Sequence, residues 1–264
     1  MELVCLLPRA TTGTNAPLLE RTVTGSGTGL VTLAKDNEVS GLKYQRTSGN
    51  GSFIYATGNV GNFNINHNTT VVGKAGQAGV SLVNVTGTGV ISENNFANHT
   101  LNAIGIAQLN SSMTLAVQKN AFNGGLTGIA YTQTGGDNRL TVDGNTFSSG
   151  TNGIVFTNVS GNSRMLVQKN AFSTTNGIIY TQIAGTTFNA IRDNTFKSTA
   201  AVLDTSSIAG TQTLQLRNNG GTGTYTLIRI PAATFNLETF LGTNPAPTKV
   251  GTIGNAAPGA AGFP

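Results

Sequence analysis

The chain has 264 residues, and 40 threonines, 35 glycines and 30 asparagines make up about 40% of them. These types favour strands and turns over helices, so the composition excludes an all-α protein. Only 9% of the residues are charged, and the 15 basic residues behind the net charge of +5 are scattered, which argues against a nucleic-acid partner. The lone Cys5 excludes an internal disulfide and a cysteine zinc site. No apolar run reaches the ~20 residues of a membrane span, and no metal or cofactor site is predicted.

The first segment, residues 1–29, contains two prolines and the sequence GSGTG at 25–29. We expect it to cap and lead into the first repeat. Its apolar stretch at residues 3–7 is short and has no basic residue before it, so no signal peptide is predicted. Either the protein stays inside the cell or the chain is a piece of a longer exported protein, and we favour the second.

Residues 30–231 consist of related repeats. The hexapeptide VQKNAF occurs at both 117–122 and 167–172, and similar hexapeptides begin at residues 91, 142 and 191. Taking the polar amide of each copy as an anchor gives positions 45, 68, 94, 120, 145, 170, 194 and 219. The mean spacing is near 25 residues, so the sequence predicts about eight structural repeats of this length.

Each repeat contains three apolar elements separated by polar turns. The second element recurs as glycine, isoleucine, any residue and an aromatic, at 128–131, 153–156 and 177–180. Alternation within each element predicts short strands, and a unit this small must stack on its neighbours to bury its apolar face. The fold class predicted is a single all-β parallel β-helix with three short strands per coil and rungs ~4.8 Å apart.

Stacking at this period predicts columns of like residues in the interior. The aliphatic column consists of Val117, Val142, Val167, Ile191 and Leu216. The aromatic stack consists of Phe96, Phe122, Phe147, Phe172 and Phe196. An amide ladder at a turn consists of Asn68, Asn94, Asn120, Asn145, Asn170, Asn194 and Asn219. We interpret these residues as structural and expect Asn138, which lies off the ladder, to matter little for stability.

The segment VTLAKDNEVSGL at 31–42, together with the recurring Asn-x-Phe and Gly-Ile-x-aromatic elements, resembles the pectin-lyase-like superfamily of right-handed parallel β-helix proteins. The resemblance covers about residues 15–230. Within this superfamily, the chain is most similar to passenger domains of bacterial surface and autotransporter-type proteins, because it has low charge and is rich in Gly, Asn and Thr. The resemblance implies a right-handed coil and an extracellular or cell-surface location. Besides these surface proteins, the same fold occurs in polysaccharide lyases, glycoside hydrolases and phage tailspikes.

The last segment, residues 232–264, follows Pro231, which cannot donate to a strand ladder. We expect Phe235, Leu237 and Phe240 to fold over the open end of the helix. The remainder, from residue 242 onward, is rich in Gly, Ala, Pro and Thr and is expected to form a linker or loose tail.

One column of polar residues is the candidate ligand-binding site, and its members are His67, Glu93, Lys119, Gly144, Lys169 and Asp193. The pairs Glu93–Lys119 and Lys169–Asp193 are complementary in charge and one rung apart. Three interpretations are open: surface ion pairs, a polar strip that contacts a ligand, or a catalytic dyad of His67 and Glu93. His99, in a turn, is expected to be solvated.

Enzymes of this fold usually place carboxylates together on one outer face. Here Glu93, Asp143 and Asp193 do not fall on adjacent rungs of one column, and Asp143 with Arg192, two rungs apart, is the nearest approach. The repeats are uniform in length and lack the long insertions that wall active-site clefts. The sequence therefore predicts a non-catalytic surface module, a stalk or adhesin passenger that contacts glycans or host proteins. A polysaccharide lyase or glycoside hydrolase is the alternative.

Overall fold

The computed structural model describes residues 18–23, 29–49, 51–70, 78–97, 99–208, 211–217, 219–227, 234–241 and 248–249. In these ranges the chain is all-β without a helix, and it forms a parallel β-solenoid of about six turns with about 25 residues per turn. The predicted fold class is therefore confirmed. The number of turns is smaller than the eight predicted.

The strands in chain order are β1 (Leu18–Val23), β2 (Gly29–Thr32), β3 (Glu38–Ser40), β4 (Lys43–Gly49), β5 (Ser52–Asn66), β6 (Thr69–Thr70), β7 (Val80–Ser92), β8 (Asn95–Ala97), β9 (Asn102–Gln108), β10 (Met113–Gln118), β11 (Ala121–Asn123), β12 (Thr127–Gln133), β13 (Asp137–Asp143), β14 (Thr146–Ser149), β15 (Asn152–Asn158), β16 (Asn162–Gln168), β17 (Ala171–Phe172), β18 (Asn176–Gln182), β19 (Thr186–Arg192), β20 (Thr195–Ile208), β21 (Thr211–Arg217), β22 (Gly220–Leu227), β23 (Thr234–Leu241) and β24 (Thr248–Lys249).

The central turns have three sheet faces, each built from parallel strands that pair with the equivalent strand of the next rung. The β13 face contains the second half of β7, then β10, β13, β16, β19 and β21. The β12 face contains the first half of β7, then β9, β12, β15 and β18. The β14 face contains β8, β11, β14 and β17. An outward side chain in the regular part of a central strand therefore has a neighbour one rung above and one rung below.

The predicted apolar columns form the core. The register pairs each member of the aliphatic column with the next, and its described side chains are at most 2% exposed. The five phenylalanines stack with ring centroids 4.6–5.4 Å apart. A second stack, Tyr131, Phe156 and Tyr180, has centroid distances of 4.8 and 5.0 Å. Like side chains thus fill the interior as continuous rows.

The phenylalanine stack explains the glycine of the recurring Gly-Ile-x-aromatic element. A Cβ on Gly153 would lie 2.5 Å from the Phe172 ring and 2.6 Å from the carbonyl oxygen of Gly177. Gly128 has the same relation to Phe147, at 2.6 Å. The glycine is therefore required because a phenylalanine ring packs directly on the backbone.

The asparagine ladder is confirmed over six steps from Asn68 to Asn219. At each step the side-chain Oδ1 accepts the backbone N–H of the ladder residue one rung earlier, at 2.8–3.2 Å. The same Oδ1 accepts from the earlier residue's Nδ2 at 2.9–3.0 Å. All seven asparagines are at most 3% exposed. The ladder thus satisfies backbone groups at a bend that regular strand pairing leaves open.

The predicted anchor at residue 45 was wrong, although the rung that it was meant to mark is present. The ladder position of that rung is Leu42, whose backbone N–H donates to Asn68 Oδ1 at 3.0 Å. Gln45 instead pairs with Glu20 in the neighbouring strand. Leucine replaces asparagine at the ladder position of this rung, so the nearest side-chain amide in the sequence, that of Gln45, was mistaken for the anchor.

Two further expectations about polar residues were wrong. Asn138 is 5% exposed, accepts the Met113 backbone N–H at 2.9 Å and donates to the Ser111 carbonyl at 3.1 Å, so it also holds a turn. His99 is 5% exposed rather than solvated. Its Nε2 lies 3.1 Å from Thr70 Oγ1, and its ring packs near Phe96 at a centroid distance of 6.1 Å.

Parallel pairing also includes residues assigned above to the two terminal segments. Strand β1 pairs with β4, β23 pairs with β21, and β24 pairs with β22. The backbones of Phe235 and Leu237 lie opposite Gln212 and Leu214, so residues 234–241 run alongside the preceding rung. The expected packing of the side chains of Phe235, Leu237 and Phe240, and most of the tail after residue 241, lie outside what the structure describes.

Candidate functional site

The predicted polar column lies at a corner of the solenoid, directly before the asparagine ladder. Its six residues have φ between 53° and 65°, the left-handed region, and they are His67, Glu93, Lys119, Gly144, Lys169 and Asp193. A non-glycine residue pays about 1–2 kcal/mol to adopt this conformation. Backbone N–H groups of the column donate to carbonyls of the next rung at 3.0–3.3 Å, which fixes the turn. The position is thus a structural corner that tolerates varied polar side chains.

The structure brings His67, Glu93 and Lys119 together on three successive rungs. His67 Nε2 lies 2.6 Å from Glu93 Oε2, and Lys119 Nζ lies 3.9 Å from Glu93 Oε1. The predicted contact of Glu93 with Lys119 is confirmed. The His67 and Glu93 side chains are 42% and 43% exposed, so water screens the pairs and each contributes at most about 1 kcal/mol.

The other ring nitrogen of His67 is also engaged. Asn66 donates from Nδ2 to Glu38 Oε1 at 2.9 Å, which leaves its Oδ1 facing His67 Nδ1 at 2.8 Å and the hydroxyl of Ser40. Both imidazole nitrogens therefore face oxygen acceptors within the protein. This arrangement leaves neither nitrogen open to accept a proton from a substrate, which argues against a catalytic base at His67.

The rest of the column does not converge with this cluster. Lys169 and Asp193 occupy successive left-handed positions, as expected, but they lie about four and five rungs from His67, roughly 20 Å or more at the spacing of adjacent strands. Their ion pair stays a prediction. The ranges that the structure describes contain no group of three His, Cys, Asp or Glu side chains that could hold a metal ion.

A groove that the repeat pattern does not predict lies on the β13 face. Its volume is about 750 Å³. Its lining includes Thr114, Asp137, Arg139, Asn162, Arg164 and Phe188. Four of these, Thr114, Arg139, Arg164 and Phe188, form one outward column across adjacent rungs, followed by Thr213. The groove therefore runs along the axis of the rod.

The groove carries more positive than negative charge. Arg139 and Arg164 are direct neighbours in the parallel register, an arrangement of like charges that costs stability. The side chain of Arg164 is exposed and makes no ion pair or hydrogen bond with the described residues. Asp137, the carboxylate in the lining, accepts a hydrogen bond from Asn162 Nδ2 at 2.8 Å. Two guanidinium groups thus face the groove beside an aromatic ring.

Asp143 and Arg192, the nearest approach to a catalytic arrangement in the sequence, share a column of the β13 face. Gln168 lies between them in the register. Arg192 donates from Nε to Gln168 Oε1 at 2.9 Å. An amide therefore separates the carboxylate from the guanidinium, and no second carboxylate of the described chain shares this column.

Polar side chains also lie in the core behind the groove. Ser163 lines the groove and is 4% exposed, and its Oγ has no hydrogen-bond partner among the described residues. The Tyr180 hydroxyl and both amide atoms of Asn189 are also buried without a hydrogen-bond partner among the described residues. Burial raises the pKa of Tyr180 to about 12; Thr187, Asn189 and Ser163 lie close enough to lower it, but none has hydrogen-bond geometry with the hydroxyl. Tyr180 is therefore neutral near pH 7.

The groove is not evident from the repeats because its lining residues are not alike. The outward column reads Thr, Arg, Arg, Phe and Thr, whereas the ladder and the stack repeat one residue type. A signal was present, because Arg139 and Arg164 are 25 residues apart, the length of one repeat. Reading the outward positions at that period would have placed them side by side.

Comparisons with protein-family models, with curated proteins and with solved structures found no match. Within the described ranges, no helix is long and apolar enough to cross a membrane.

Proposed function

We propose that the chain is a non-catalytic module that binds a glycan in the groove of the β13 face. The observation that supports this proposal is the column of Arg139, Arg164 and Phe188 along the groove. As part of the proposal, the solenoid is a segment of a longer exported protein of the adhesin or passenger type. It acts at the bacterial cell surface, where glycans or host surface proteins are the partners.

The chemistry of the groove suits a polymeric carbohydrate. Guanidinium groups donate paired hydrogen bonds to carboxylate, ester or hydroxyl oxygens of sugars, and a phenylalanine ring offers an apolar surface for sugar C–H groups. Asn162 and the threonines add neutral hydrogen-bonding groups. A chain that follows the rod meets these side chains one rung at a time, which favours an extended polymer over a compact small molecule.

The absence of catalysis in this proposal rests on the placement of the charged groups. Asp137 is held by Asn162, Asp143 is separated from Arg192 by Gln168, and both nitrogens of His67 are engaged. Hydrolysis of a glycosidic bond usually requires two carboxyl groups that flank the bond. Nothing in the described groove provides such a pair.

The experiment is a binding screen of the whole chain against a polysaccharide panel, followed by titration calorimetry with the best ligand. We expect Arg139→Ala with Arg164→Ala to weaken binding at least tenfold, because both guanidinium groups are lost. Lys169→Ala, which removes an exposed cation at the corner, is the matched control and should bind as the parent does. Equal loss in the control, or full binding by the groove variant, would contradict the site.

A polysaccharide lyase or glycoside hydrolase of the pectin-lyase-like fold is the second candidate. It is favoured by one observation, the presence of Asp137 and Arg139 in the same groove. If new oligosaccharides appeared on incubation, Asp137→Asn should abolish them while Asp193→Asn, at the corner, should not.

A further inference from the structure

The β12 face carries no charged residue over five rungs, from the first half of β7 to β18, and Asp204 pairs with Ile179 on the rung that follows. None of the residues at 101–109, 126–134, 151–159 and 175–183, which cover four successive rungs, is charged. Its outward residues form two rows in register, which are Gly105, Ala130, Val155 and Ile179 in one, and Ala107, Thr132, Thr157 and Thr181 in the other. The first half of β7 adds the uncharged outward pair Ser81 and Val83 as a fifth rung.

Exposed hydrophobic side chains border this same face. In the described part of the chain, four of the five large exposed hydrophobic residues lie at its edges. Leu101 and Leu126, 44% and 46% exposed, precede their strands on adjacent rungs. Leu109 and Ile183, 51% and 56% exposed, follow their strands on the opposite edge. Such a concentration of apolar surface marks an interaction site.

The size of the face matches what a stable protein interface needs. Five rungs at ~4.8 Å and nine residues at ~3.3 Å each give a surface of roughly 24 by 30 Å, or about 700 Å². A typical stable interface buries about 800 Å² per partner.

The charge distribution favours a second copy as the partner. The chain carries a net charge of +5, and the charged residues described between 78 and 193 lie on the β13 face or at the corner. Two copies that meet through their β12 faces keep these like charges apart. Rows of Ala, Val, Ile and Thr on one sheet also pack well against the same rows on another, as in stacked sheets ~10 Å apart.

We propose that the β12 face is a self-association surface through which two copies of the chain form a symmetric dimer. Ala130, Val155 and Ile179 of one copy pack against the same face of the other, and the bordering leucines and Ile183 close the edges. This proposal does not depend on the function of the groove, which stays open to ligand on a different face.

The test is sedimentation equilibrium of the whole chain over a hundredfold range of concentration. The variant Thr132→Arg with Thr157→Arg places two cations side by side in the centre of the β12 face. The control Thr146→Arg with Ala171→Arg adds the same charge at exposed, paired positions of the β14 face. Circular dichroism melting of each variant establishes that it is folded.

We expect twice the chain mass for the wild type and for the control, and the mass of one chain for the β12-face variant. A wild type that stays monomeric at the highest concentration would overturn the proposal. So would a dimer that survives in the folded β12-face variant, because two facing pairs of arginines cannot pack in the centre of such an interface.

Discussion

Asn145 shows how single polar residues hold the corner of the solenoid. Its Nδ2 donates to Asn170 Oδ1 at 3.0 Å and to the Val117 carbonyl at 2.8 Å, and its Oδ1 accepts from Asn120. Replacement by alanine leaves buried backbone groups unpaired, so Asn145→Ala should lower the free energy of unfolding by about 1–3 kcal/mol. Urea denaturation measures this. The exposed Asn110→Ala should change little, and equal losses in both variants would contradict the ladder.

Asn189 is the opposite case, a polar residue that the core does not use well. It occupies the position of Leu140, Met165 and Leu214 on neighbouring rungs, is 1% exposed, and neither amide atom has a hydrogen-bond partner among the described residues. Asn189→Leu should therefore raise the free energy of unfolding by about 1–3 kcal/mol, measured in urea. A variant that is less stable than the parent would contradict this prediction, because it would mean that the Asn189 amide makes a stabilising hydrogen bond.

At the scale of the element, the recurring glycine is required because the backbone and a phenylalanine ring of the next rung leave no room for a Cβ. Gly153→Ala would place a methyl group against Phe172 and the Gly177 carbonyl, so the strand must shift or the ring must leave its stack. We expect a loss of at least about 1–3 kcal/mol in unfolding free energy, the cost of overpacking a core. Gly144→Ala, whose Cβ meets only the Lys119 side chain at 3.8 Å but whose φ is +65°, should cost only about 1–2 kcal/mol. A larger loss at Gly144 than at Gly153 would contradict this ranking.

The repeats revealed those elements in which stacking demands the same residue on every rung. Phe147 over Phe122 and Asn145 beside Asn120 were therefore predictable from the period alone. The same logic failed at Leu42, where an apolar residue replaces the ladder asparagine. It also missed Arg139 and Arg164, because an outward position faces solvent and stacking places no demand on its identity. Burial of His99 was missed because Thr70 and Phe53, which cover it together with Phe96, come from an earlier rung.

At the scale of the whole molecule, the buried tyrosines make the free energy of unfolding fall at alkaline pH. Burial raises the pKa of Tyr180 to about 12 and the pKa of Tyr44 and Tyr131 further above the ordinary value of 10.0. The unfolded chain therefore releases these protons first as the pH rises. The stability they contribute is fully present below about pH 10 and is lost progressively above it.

This dependence can be measured as the urea midpoint from about pH 8 to about pH 12. We expect a plateau and then a steep fall, which should be shallower in Tyr131→Phe because one buried proton is removed from the balance. A constant midpoint through pH 11 would contradict the burial of these hydroxyls.

The solenoid as a whole is proposed to hold a glycan without cleaving it, and one measurement tests both parts of that claim. The chain is incubated with a polysaccharide panel that includes uronate polymers, with and without calcium, and bound and free material are analysed by mass spectrometry. The account predicts that at least one polysaccharide is retained on the protein at its original mass and is released from Arg139→Ala with Arg164→Ala. New oligosaccharides, or retention that does not depend on these arginines, would contradict it.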